Sequence, residues 1–137
     1  MQGDRDEMAA EAYIALLTPI LEDLQARIAG LEEMAVLRRD RTVLASINQK
    51  NGDLSATALL TEFADLTDEM CDTLEHGFAT EAIVKGTERF LAMYALHEAD
   101  VLLGISGRST VNFGLLNSGC RTAVEKIHKI LHSTPEP

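Results

Sequence analysis

Apolar side chains recur every three or four positions along most of this chain, and that rhythm restricts its fold more than any other feature. Ile14, Leu17, Leu21, Leu24, Ile28, Leu31 and Ala35 follow a 3-4-3-4-3-4 spacing, with Tyr13, Ile20 and Met34 beside them. A stripe of that width suits a bundle helix better than a two-stranded seam. Prolines stand only at positions 19, 135 and 137, so no residue from 20 to 134 lacks a backbone amide hydrogen. Thr18–Pro19 reads as an N-cap followed by proline at the first helical position. Residues 6–17 are then a separate short helix or a lead-in kinked at Pro19.

Further along, Asn51–Gly52 is a stop and turn signal, and Asp53 or Ser55 can cap the next helix. Leu59, Phe63, Leu66 and Met70 carry its stripe, with Leu60 and Leu74 beside it, and Gly77 ends it. A third stripe runs through Ile83, Thr87, Phe90, Tyr94, His97, Val101 and Ile105 until Gly104 and Gly107 break it. The last carries Leu116, Cys120, Ala123, Ile127 and Leu131, ending near His132. No period-two pattern stands out. The expectation is therefore an all-α fold, an antiparallel bundle of about four main helices, the first one long and kinked or broken. It occupies one domain, 1–137, with frayed tails at 1–5 and 133–137. A continuous helix over residues 18–48 would reach about 45 Å, which is long for such a bundle. A second copy of the chain or a partner is then expected to cover part of its stripe.

Composition narrows the function classes. Aromatics are 4% with no Trp, so the core must come from aliphatic residues. The net charge is −10, which disfavours nucleic acid and anionic membrane surfaces and suits a basic protein partner. No apolar run approaches the length of a membrane span. The acidic start MQGDRDEMAAE does not read as a signal peptide, and the expected compartment is the cytoplasm. Cys71 and Cys120 both sit inside apolar patterns, as reduced buried thiols would.

The acids are concentrated. Residues 40–77 hold eight acidic and two basic side chains. Asp65, Asp68, Glu69 and Asp72 recur at helical spacing and form one patch, which a partner cation would relieve of its mutual repulsion. Against the simpler reading of a solvated face, this patch and the apolar residues Leu24, Ile28 and Leu31 are the expected partner-binding surfaces.

Other constellations bear on chemistry. The segment Gly104, Gly107, Arg108, Ser109 and Thr110 has the glycines, the cation and the hydroxyls of a small anion site, with Ser109 or Thr110 opening the next helix. An ordinary helix–helix turn has the same composition. Arg121 and His128 project from one side of the last helix, an arginine to hold phosphate and a histidine to move a proton. Their spacing resembles the Arg-x(4–6)-His motif of HEPN-type ribonucleases, which are small helical proteins. The resemblance covers two residues and lacks the polar residue after the arginine, where Thr122 stands. It implies those two as catalytic residues. Glu125-x-x-His128 has the form used in di-iron bundles, but a second such pair is missing, so no metal or cofactor is expected. His97 on an apolar stripe reads first as a buried histidine bonded to a carbonyl or hydroxyl.

These readings favour a non-enzymatic interaction protein: a small acidic helical adaptor, regulator or export-type chaperone that binds another polypeptide and forms a homodimer. The alternative is a ligand or anion sensor, or a ribonuclease using Arg121 and His128.

Overall fold

The computed structural model describes residues 2–47, 54–96 and 100–133. It corrects the all-α expectation. Three helices flank a five-stranded, wholly antiparallel sheet: α1 (Gln2–Arg27), β1 (Leu31–Arg38), β2 (Val43–Ile47), α2 (Leu54–Thr73), β3 (Glu81–Lys85), β4 (Arg89–Leu96), β5 (Val101–Arg108) and α3 (Phe113–Ser133). The strand order is β2-β1-β5-β4-β3, which leaves β2 and β3 at the edges.

The helical reading failed at residues 31–47 and 81–108 for a physical reason. A central strand between two helical layers is buried on both faces and reads as a continuous apolar run. In β5, residues 101–105 are all buried, and in β1 so are residues 34–37. Such a run contains three- and four-residue spacings by default. The stripe from Ile83 to Ile105 in fact runs through three strands, β3, β4 and β5.

The expected first helix is also shorter and simpler. Pro19 lies inside α1, so there is no separate helix over 6–17, and residues 2–5 are helical. Tyr13, Leu17, Leu21 and Leu24 form its buried stripe, and Ile28 continues it just past the helix end. Gly30, at φ +98°, turns the chain into β1, which removes the alternative of a continuous helix to residue 48. By contrast α2 and α3 stand close to where spacing placed them. The Asn51–Gly52 turn, an Asp53 cap and the tail after Ser133 fall outside the described residues.

The layers are unequal. Helices α1 and α3 pack on one face with Met34, Val36, Leu44, Phe90, Leu103 and Ile105 beneath them. Gly119 lets the two helices approach closely, since a Cβ there would lie 3.0 Å from Ile28 and 3.2 Å from Leu24. Tyr94 of β4 donates its hydroxyl hydrogen to Asn117 Oδ1 of α3 at 2.7 Å, and burial raises its pKa above the ordinary value. Burial likewise pushes the Cys120 thiol up to about 12. Among the described residues, helix α2 alone covers the other face, on a smaller core of Ala35, Leu37, Leu60, Ala64, Met93 and Leu102.

Candidate interaction surface

Helix α2 has three sides. Leu60, Thr61 and Ala64 point into the sheet. Leu60 reaches down onto Gly104, where any Cβ would collide with it, so this glycine lets the helix lie close to β5. One flank is acidic. There Arg39, from the end of β1, donates to Asp65 Oδ1 at 2.9 Å and to Asp68 Oδ2 at 2.8 Å, with Asp100 at 3.9 Å. Asp68 Oδ1 also accepts the Ala79 amide at 3.3 Å. The expected acidic patch exists, then, but Arg39 of the same chain already relieves part of its repulsion. Glu69 and Asp72 line the same groove, with exposed Phe78 at its rim.

The opposite flank is apolar and bare. Leu59, Phe63, Leu66 and Met70 follow 4-3-4 spacing, and Leu59, Leu66 and Met70 are 57%, 56% and 56% exposed. Phe63 packs against the small core that Ala82 of β3 and Leu91 of β4 also border, and Arg39 at the end of β1 reaches the acidic flank, so the apolar flank is the one on the β4–β3 side of the helix. Val84 shares its sheet face with Ala82 and is 55% exposed. Among the described residues β3 pairs only with β4, and its other edge is open. An apolar helix flank and an open strand edge therefore lie on the same side of the molecule. Contiguous exposed apolar surface of this kind marks an interaction site, and an open edge is a template for another strand.

Several residues singled out from sequence lie elsewhere. Leu24, Ile28 and Leu31 are at most 6% exposed and pack inside the α1/α3 core, so they are corrected from partner surface to core. Gly104 and Gly107 lie within β5, where their backbones belong to the ladders with β1 and β4. They make close approaches, Gly107 to the Gly30 carbonyl, rather than an anion-binding loop. Ser109 donates its hydroxyl hydrogen to the Thr87 carbonyl at 3.0 Å. Neither it nor Thr110 caps α3: Asn112 does, its Oδ1 accepting the Leu115 amide at 3.1 Å. Arg108 is exposed at the end of the strand.

Arg121 and His128 have different neighbours. Arg121 holds Glu81 of β3 through two hydrogen bonds, and that contact lowers the Glu81 pKa. His128 stacks edge-on with His132, ring centroids 4.1 Å apart. Among the described residues there is no group of three potential metal ligands, and no helix is long and apolar enough to cross a membrane. His97 lies outside the described residues.

Sequence reasoning assigned Leu59, Leu66 and Met70 to the helical core and did not single out β3. The available signal was width: with Leu60 and Ala64 facing the sheet, those residues span more of α2 than one buried face can hold.

No protein-family model matches the chain, and no curated protein does. Solved structures do. A Roadblock/LC7 domain from Streptomyces avermitilis superposes with a TM-score of 0.74 at 14% identity, over 82% of this chain and 94% of that one. MglB of Myxococcus xanthus gives 0.76 at 15% identity, over 93% of each chain. An MglB described with a tetrameric arrangement gives 0.78 at 18% identity, over 90% of this chain and 93% of that one. The chain has the Roadblock/LC7 fold.

Proposed function

We propose that this protein is a non-enzymatic, cytoplasmic regulator that pairs with a second copy of itself through β3 and the apolar flank of α2, and that binds a partner protein. The observation that carries the reading is the exposed Leu59–Leu66–Met70 flank beside an open strand edge. Fully burying a Leu or Met side chain is worth about 1.5–3 kcal/mol, so covering three of them supplies several kcal/mol toward association. Like-charge repulsion does not oppose this contact strongly. The chain carries −10, but Asp65, Asp68, Glu69 and Asp72 sit on the far flank of the helix. The tetrameric arrangement of one MglB is consistent with a fold that self-associates.

The acidic flank stays outward in such a pair and suits a basic segment of the partner. A small GTPase is the partner class to test first; that finer choice rests on likeness in fold to MglB alone. Light scattering tests the pairing: wild type should run at twice the monomer mass, and Leu66→Asp at the monomer mass with unchanged circular dichroism. A wild type that stays monomeric at high micromolar concentration would end the reading. The partner step is tested by titrating purified small GTPases, in each nucleotide state, against wild type and Glu69→Lys/Asp72→Lys. Binding should weaken in the variant and with added salt.

A further inference from the structure

Resting on that pairing, we infer its register: two copies of β3 join antiparallel about a twofold axis at Ile83, with Glu81 of each copy opposite Lys85 of the other. The main chain of β3 states which groups are available. The Ala95 amide donates to the Thr80 carbonyl at 2.8 Å, and the Gly86 amide donates to the Arg89 carbonyl at 2.7 Å. Positions 80 and 86 therefore face β4, and with alternation so do Ala82 and Val84. The amides and carbonyls of Glu81, Ile83 and Lys85 point out of the sheet edge.

In an antiparallel pair, residues directly opposite share a face, so the twofold must pass through a residue position. Centring it on Ala82 sets Glu81 against Ile83 and Lys85 against Ala79. Centring it on Val84 sets Lys85 against Ile83 and Glu81 against Thr87. Only Ile83 at the centre pairs carboxylate with ammonium, and it does so twice by symmetry. The same register matches Ala82 with Val84 beneath the apolar flanks of α2. It also gives every outward amide and carbonyl of the strand a partner.

Helix α3 already holds both charged side chains near the edge. Arg121 grips the Glu81 carboxylate, and Lys85 Nζ lies 5.0 Å from the centroid of the Phe113 ring. A Lys85 arriving from a second copy would complete a cation pair around Glu81. Charged residues on an edge can also serve to repel other strands, and the experiment distinguishes the two roles.

Glu81→Lys and Lys85→Glu are made separately and mixed. Each alone sets like charges opposite each other at both ends of the seam, and its dimer dissociation constant should rise about tenfold or more. Mixed, the two variants are complementary at both ends, and a heterodimer should form with near wild-type affinity, read by native mass spectrometry. Disruption confined to one protomer cannot be rescued in this way. Because Glu81→Lys also loses the Arg121 contact, Ile83→Cys in a Cys71→Ser background gives a second readout. Opposed Cα atoms about 5.5 Å apart permit a disulfide, so Ile83→Cys should cross-link to itself on oxidation, and Val84→Cys should not. Charge reversals without effect, a mixture that fails to rescue two folded variants, or cross-linking at Val84 instead would overturn the register. Leu66→Asp is run beside them. If it alone dissociates the pair, the seam stands and the register falls; if it too leaves the pair intact, the seam falls with it.

Discussion

Two helices cover one face of the sheet and a single helix covers the other. Under α1 and α3 the apolar stripes are closed: Leu17, Leu21, Leu116 and Ile127 are fully buried. Under α2 the inner side is buried, but Leu59, Leu66 and Met70 remain more than half exposed. The same residue types therefore do two jobs. On the closed face they hold the fold together, and on the open one they are available to another molecule. One helix cannot span five strands, so the face it covers ends in a bare border at β3.

The contrast predicts opposite outcomes for the same substitution. Leu21→Ala empties a closed core and should cost about 2–5 kcal/mol in urea unfolding. The glycines of β5 should separate the faces next. Gly107→Ala drives a methyl group into the Gly30 backbone carbonyl on the closed face, and neither backbone can yield. A loss of about 2–3 kcal/mol is expected. At Gly104, on the α2 face, the obstacle is the end of the Leu60 side chain, which can rotate. Gly104→Ala should cost less, about 1–2 kcal/mol by the same measurement. Equal losses at the two positions would mean that α2 is held as tightly as α1 and α3.

A pH effect should be smaller. Arg121 holds the Glu81 pKa below its ordinary value of 4.5. The contact therefore stabilises fully above that value, and its contribution is lost as the pH falls through the lowered one. Acid unfolding of wild type should show this loss, and Glu81→Gln should lack it. Smallest of all, Leu66→Ala should change the stability of the folded monomer by no more than about 0.5 kcal/mol, measured at a protein concentration where pairs have dissociated. A loss approaching that of Leu21→Ala would show that the flank is core after all.

Legibility in the sequence followed the surroundings of each segment. Helix α3 could be read because it is buried on one side, so burial leaves a helical period in the residue pattern; helix α2 could be read from an apolar period most of which lies on its exposed flank. Strands β1, β4 and β5 could not, because they are buried on both sides and a residue pattern records burial only where one side is spared it. The acidic flank was visible as a cluster of charges, but its neutralising partner was not, since Arg39 lies 26 residues from Asp65. The spacing of Arg121 to His128 is visible in the sequence, yet the contact Arg121 makes is with Glu81, 40 residues away. The EAIVK strand carries no sign of its own, because charge complementarity between its ends has meaning only once the strand lies on an edge.

The amino-acid order by itself determined where α2 and α3 form and where negative charge collects, because those properties are local. Only the tertiary structure decided that α1 ends at Gly30, that Leu24 and Ile28 are covered by their own chain, and that β3 and one flank of α2 are not. Those outcomes depend on how many helices there are to cover each side of a five-stranded sheet, and that is settled by packing between segments far apart in the chain.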